Sequence, residues 1–226
     1  MITKLIYRVS RLVLSMLIID VRGLKEEHEV KETLKPAMNS LRNSGIVIYP
    51  TDTVYGIGCD PLNEEALTKL LALKGRSGKP LPLLVSSIEI VRSIAKVPPK
   101  AEKLMRAFWP GPLTIVLPLR TPLPDKITMG RQKVGLRIPN HLVARVLAEG
   151  VGGLIVGTSA NKSGEPSPKS LNEVDPYLKE MADVVIDGGT CPLGIPSTVV
   201  EVDEEVKVIR EGAVKIEEVL KKLRDD

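Results

Sequence analysis

Between Tyr49 and Gly58 the chain reads Tyr-Pro-Thr-Asp-Thr-Val-Tyr-Gly-Ile-Gly, followed by Lys74-Gly-Arg76 and, much later, by Ser159-Ala-Asn161. Hydroxyl, amide and cationic groups therefore sit beside apolar runs of strand character. That is how an open α/β sheet offers backbone amides, hydroxyls and fixed charge to a phosphate-rich ligand. If the first segment is extended, Thr51, Thr53 and Tyr55 share one face of it. Neither common nucleotide fingerprint accompanies these groups. Gly164-Glu-Pro-Ser-Pro-Lys-Ser170 approaches the Walker lysine loop but lacks the glycine before the lysine, and no G-x-G-x-x-G opens a helix after a strand. Arg137, framed by Leu136 and Ile138, needs an anionic partner or an exit to water, because an unpaired guanidinium is costly to bury. Arg210 ends another apolar run beside Gly212, and Ser197-Thr198 follows Gly194 and Pro196. Taken singly, these are a hydroxyl-rich turn, helix-end cations and a cap. Together they describe a cleft with several cations, several hydroxyls and no acid-base histidine, suited to positioning and charge stabilisation in phosphoryl or nucleotidyl transfer.

Composition narrows the classes. The 226 residues, 43% of them hydrophobic, suit one large domain with a substantial core. A net charge of +4 favours anionic partners, while 3% aromatics leave little for stacking RNA bases. RNA binding is therefore expected to be weak and salt-dependent. Cys59 and Cys191 lie too far apart in sequence for a metal knuckle and form no disulfide framework, which fits a reduced, cytoplasmic setting. His28 stands in the charged run Lys25–Glu29 and reads as part of a solvated helix face; His141 reads as a structural or surface residue at a helix start. A histidine triad or a zinc site is not expected. The apolar stretch Leu12–Ile19 is too short to span a bilayer and leads to no cleavage site, so no membrane association is expected.

The elements that must position these groups can be read from periodicity and punctuation. Met16–Val21 is expected as the first strand, after an N-terminal extension of residues 1–15, with residues 16–226 forming the domain. Val30, Leu34, Met38 and Leu41 predict one helix ended by Gly45. Ile46–Tyr49 reads as a strand. Asn63 caps a helix running through Leu67 and Leu70 to Lys74, with Gly75 at its end, so that Lys74 and Arg76 project beyond it. Leu81–Val85 reads as extended, with Pro82 suiting an edge or bulge. Helices open near Ser87 and Pro99. Leu113–Leu117 and Val134–Ile138 read as strands around a proline-rich loop from Pro118 to Gly130. A helix from His141 to Ala148 precedes one buried strand, Leu154–Thr158. Val184–Ile186, Thr198–Val202 and Val206–Arg210 follow as strands, the last two as a hairpin, and Val214–Leu223 closes the chain as a helix. The fold class is a single-domain mixed α/β protein.

In order along the chain stand Tyr49-Pro-Thr-Asp-Thr-Val-Tyr-Gly56, Lys74-Gly-Arg76, Phe108-Trp-Pro-Gly-Pro-Leu-Thr114, Val134-Gly-Leu-Arg-Ile-Pro139, Thr158-Ser-Ala-Asn-Lys-Ser-Gly164, Ile186-Asp-Gly-Gly189, Ser197-Thr-Val199 and Ile209-Arg210. In this the chain resembles the YrdC-like threonylcarbamoyl-AMP synthases, in their short form. The resemblance implies a twisted mixed parallel and antiparallel sheet flanked by helices, with a central basic cleft. It implies synthesis of threonylcarbamoyl-AMP and pyrophosphate from L-threonine, bicarbonate and ATP with Mg²⁺, the ion having no dedicated protein ligands. A separate tRNA threonylcarbamoyltransferase would use the product. Carried over by position, Thr53, Tyr55, Arg137, Ser159 and Ser197 would meet threonine or its carbamate, with Tyr55 shaping the pocket. Lys74, Arg76, Asn161 and Arg210 would hold the nucleotide, Lys74 and Arg76 being the catalytic cations. The sequence departs from the family pattern at Ser77–Leu84 and at Glu211. Rival readings are an RNA-binding accessory factor using the same cleft and a carbamoyl-phosphate-handling paralogue.

Overall fold

The strands divide between two sheets rather than forming one. In the computed structural model, which describes residues 16–75 and 78–224, the first sheet has the order β1 (Leu17–Asp20), β9 (Val184–Asp187), β2 (Val47–Tyr49), β3 (Gly56–Gly58), β8 (Thr158–Ser159). The second runs β11 (Val206–Arg210), β10 (Thr198–Val202), β5 (Leu113–Pro118), β6 (Lys133–Arg137), β4 (Leu83–Val85), β7 (Leu154–Val156). Both mix parallel and antiparallel pairs, as in β10 with β5 and β5 with β6. The α/β class is as expected. The N-terminal extension expected over residues 1–15 lies outside the described residues.

Helix α3 (Glu64–Lys74) shows how local chemistry sets an element. The Asn63 side chain accepts from the Ala66 amide at 3.0 Å, Glu64 and Glu65 occupy the first turn, and Gly75 ends the helix in the left-handed region at φ 54°. Leu67 and Leu70 are fully buried, each contributing roughly 1.5–3 kcal/mol.

Four expectations need correction. The helix expected through Val30, Leu34, Met38 and Leu41 is two, α1 (Glu27–Thr33) and α2 (Lys35–Arg42), because Pro36 has no N–H for the carbonyl one turn back. The apolar stripe survives the break: Val30, Leu34 and Leu41 are all buried. Strand β4 is interior, between β6 and β7, and Pro82 lies just outside its paired residues. The proline-rich loop before β6 contains a short helix, α6 (Asp125–Thr128). Finally, the apolar run 154–158 is two strands in different sheets, β7 and β8, joined by Gly157. A Cβ at Gly157 would lie 2.5 Å from the Leu84 Cγ, and one at Gly58 would lie 2.0 Å from the Val156 carbonyl oxygen. The two sheets approach here too closely for any side chain, and glycine is the residue that permits it.

Candidate functional site

Strand β6 presents Lys133, Gly135 and Arg137 on one face, while Val134 and Leu136 enter the core, the alternation dictated by a pleated strand. Above that face lies a cleft of about 330 Å³, a size suited to a small ligand. The β2–β3 loop forms one wall, β8 part of another, and the β10–β11 region the third.

The β2–β3 loop is a compact turn rather than an extended strip of hydroxyls. The Thr51 hydroxyl accepts from the amides of Thr53 (3.1 Å) and Val54 (3.2 Å) and donates to the Val54 carbonyl at 2.7 Å. With that proton committed, the 2.9 Å contact between the two threonine hydroxyls has Thr53 donating. Tyr55 is fully buried; its hydroxyl donates to the Gly189 carbonyl (2.9 Å) and accepts from the Gly188 amide (3.1 Å). Burial pushes its pKa up to about 12. Tyr55 therefore stays a neutral phenol whose ring shapes the wall.

Arg137 finds its anion in Asp52, a residue that the sequence reading does not single out. Its Nη1 donates to Asp52 Oδ1 and to Thr53 Oγ1, each at 3.2 Å, and Arg137 and Asp52 are only 5% and 4% exposed. Burial pulls the guanidinium pKa down while the Asp52 charge opposes that shift. A signal for Asp52 does exist: an arginine inside a strand demands an acid, and the Thr-Asp-Thr loop contains one. Asp52 Oδ2 is buried without a hydrogen-bond partner.

His141 stands nearby at the start of α7 (Leu142–Gly150), its Nδ1 buried and unpartnered. Burial lowers its pKa to about 4 against the pull of Asp52, so the imidazole is neutral near pH 7. The unfolded chain, with an ordinary histidine pKa, takes up a proton first as the pH falls. Stability should therefore drop between about pH 6.5 and 4, by up to about 3 kcal/mol, with no further loss from this group below that window. Urea unfolding of His141→Gln at pH 7 and pH 4.5 should show a smaller difference between the two pH values than the wild type; an equal difference would assign the loss to other groups.

Lys74 does not project into solvent. It is 4% exposed, and its Nζ donates to the carbonyls of Ser159 (2.5 Å) and Asn161 (2.8 Å), so α3 fastens the segment after β8. Asn161 donates its amide to Lys162 O and Glu165 O, leaving Oδ1 buried and unpartnered. On the third wall, the Ser197 and Thr114 hydroxyls meet at 2.8 Å, and Arg210 Nη2 donates to the Ser197 carbonyl at 2.8 Å. Desolvation and then the like charge of Arg137 lower the Arg210 pKa. Among the described residues no carboxylate pairs with it within 4.0 Å.

Of the residues expected at the site, Thr53, Tyr55, Arg137, Ser159, Ser197 and Arg210 line one cleft. Lys74 and Asn161 adjoin it through the Ser159 segment rather than forming its wall. Arg76 lies outside the described residues. Arg131, Lys133 and Glu201 also line the cleft, and Lys133 is ion-paired with Glu201 and Asp203 at 3.0 Å each. Counting back from Arg137 in steps of two along a strand is the available signal for Lys133. Cys59 and Cys191 are free and buried, their thiol pKa values pushed up to about 12 and about 11. Among the described residues, no group of three His, Cys, Asp or Glu is placed to hold a metal ion, and no helix is long and apolar enough to cross a membrane.

A mixed α/β frame around a cleft of arginines and hydroxyls defines a class of small-ligand site in which charge and positioning, not an acid-base histidine, are available for chemistry. The chain belongs to the Sua5/YciO/YrdC family, whose profile, described as "Telomere recombination", matches residues 39–212. It is 38% identical over 208 residues to the threonylcarbamoyl-AMP synthase of Pyrococcus abyssi, covering 91% of this chain and 60% of that protein. It is also 38% identical over 157 residues to the threonylcarbamoyl-AMP synthase of Halorhodospira halophila, covering 69% of this chain and 82% of that one. The crystal structure of P. abyssi Sua5 complexed with L-threonine superposes with a TM-score of 0.84 at 37% identity, over 93% of this chain and 62% of the other. The chain thus spans about 60% of the length of its P. abyssi relative.

Proposed function

We propose that this cleft makes threonylcarbamoyl-AMP and pyrophosphate from L-threonine, bicarbonate and ATP. The observation that carries the reading is the buried Asp52–Arg137–Thr53 cluster facing Arg210 across one cleft, in a chain so similar to synthases of that name. Arg137 would pair with the threonine carboxylate, with Thr53, Ser159 and Ser197 supplying hydroxyls to the rest of the amino acid. Asn161 and Arg210, with Lys74 beside them, would hold the nucleotide. The threonine amine and bicarbonate condense to a carbamate with loss of water; a carbamate oxygen then attacks the α-phosphorus, the bond from that phosphorus to the oxygen bridging it to the β-phosphate breaks, and pyrophosphate leaves. Negative charge gathers on the leaving group, where arginines stabilise it most and where Mg²⁺ arriving with ATP adds its own charge. Among the described residues no cysteine or histidine lines the cleft, which supports a nucleophile supplied by the substrate. The product suits a separate transferase acting on tRNA in the cytoplasm.

Pyrophosphate release by the pure protein should require threonine and bicarbonate together. Equal ATP turnover without threonine would replace this reading with that of a simple hydrolase.

A further inference from the structure

Among the described residues three buried side-chain atoms have no hydrogen-bond partner: Asp52 Oδ2, His141 Nδ1 and Asn161 Oδ1. An unpaired polar atom is costly to bury, so each calls for a partner. The first two flank the same guanidinium. Asp52 Oδ1 accepts from Arg137 Nη1 at 3.2 Å, and Oδ2 of that carboxylate is left over. His141 follows Arg137 closely in the chain, and the backbone between them is pinned. The Ile138 carbonyl accepts from the Gly111 amide at 2.9 Å, and the Pro139 carbonyl from Arg145 Nη1 at 3.2 Å. Of the charges acting on the imidazole, that of Asp52 is the strongest, ahead of Arg145 and Arg137. No direct bond joins Nδ1 to Oδ2. One water serves both, because it can donate to the carboxylate oxygen and either accept from Nδ1–H or donate to the Nδ1 lone pair.

We infer that His141 is a positioning residue for threonine binding: through one buried water its Nδ1 holds Asp52 Oδ2, which keeps Asp52 Oδ1 on Arg137 and the guanidinium turned to the amino-acid carboxylate. This rests on the proposed use of threonine. A carboxylate held at one oxygen swings about its Cβ–Cγ bond and takes the arginine with it; held at both, it is fixed. Arg137 Nη1 also donates to Thr53 Oγ1 at 3.2 Å, so that end of the guanidinium is anchored twice. Its other donors make no hydrogen bond among the described residues, and Arg137 lines the cleft, so they are left for a ligand. His141 itself is not part of the lining and acts through Asp52. The ring is neutral near pH 7 and so steadies the carboxylate without competing with Arg137 for its charge.

The test is calorimetric titration of the full chain with L-threonine and with ATP, for the wild type, His141→Phe and His141→Asn, together with turnover at saturating substrates. Phenylalanine keeps a ring and removes both nitrogens; asparagine puts an amide where Nδ1 stood. His141→Phe should lose about tenfold in threonine affinity, the scale of one misplaced charge-assisted bond, with ATP affinity and saturated turnover unchanged within about threefold. His141→Asn should bind threonine within about threefold of the wild type. Equal loss of both ligands, loss of saturated turnover with affinities intact, or an asparagine variant as weak as the phenylalanine one would make His141 a packing residue and overturn the inference. Unchanged threonine affinity in His141→Phe would do the same. If His141→Phe does not fold, the wild type decides: a nuclear Overhauser contact from a long-lived water to His141 Hε1 is expected, and its absence overturns the inference. A wild type that binds no threonine would remove the proposed activity as well. Threonine binding with none of these signatures would remove only the role of His141.

Discussion

Replacing Arg137 by Met should lower stability by about 3–5 kcal/mol and abolish turnover, because it strands the Asp52 carboxylate in the core without its partner. The double replacement Asp52→Asn with Arg137→Met should recover most of that stability and none of the activity. The logic is the asymmetry of buried charge: breaking a pair leaves an uncompensated ion, whereas removing both members removes the penalty with the attraction. Denaturant melts of both single variants and the double variant, read as a cycle, measure the coupling directly. A double variant as unstable as either single one would mean that Thr53 and the loop around it, not the ion pair, set the cost.

Lys74→Ala should lower turnover at least ~100-fold, the scale of losing one group that stabilises developing phosphate charge, roughly 2.7–4 kcal/mol. It should also lower the melting temperature, which sequence alone does not anticipate. The ammonium makes charge-assisted bonds to the Ser159 and Asn161 carbonyls, and a bond of that kind contributes about 1.5–3 kcal/mol. Steady-state kinetics and a thermal melt on one preparation suffice. Normal turnover with a reduced melting temperature would make Lys74 a structural clamp alone. Arg76→Ala is expected to lose comparable activity.

What can be read in advance is whatever depends on neighbours in sequence. The cap at Asn63 and the left-handed Gly75 are local, and Ile115 and Leu136 belong to runs whose apolarity or alternation names a strand without any partner. The splitting of the run 154–158 is different in kind. An apolar run of that length looks like one buried strand, and only the approach of Leu84 to Gly157 shows that it serves two sheets. At the site, Arg137 announces a need for an anion, but which acid meets it depends on how tightly the Thr51 hydroxyl folds its loop. For Lys74 the helix pattern gives the right place along the chain and the wrong depth, since the carbonyls that bury it arrive from some 85 residues further along.

The passage from β7 to β8 has a mechanical meaning. Consecutive amides there face opposite ways: Val156 N–H bonds to the Cys59 carbonyl beyond β3, and Gly157 N–H to the Pro82 carbonyl before β4. Prising the two sheets apart therefore strains covalent backbone and ladder bonds at once, instead of sliding one greasy face over another. The jaws of the cleft have no hinge between them at this seam. Ligand entry then falls to the rim, and the two sheets should lose their structure in a single cooperative step, with the amides of Val156 and Gly157 exchanging with solvent only when the whole molecule opens.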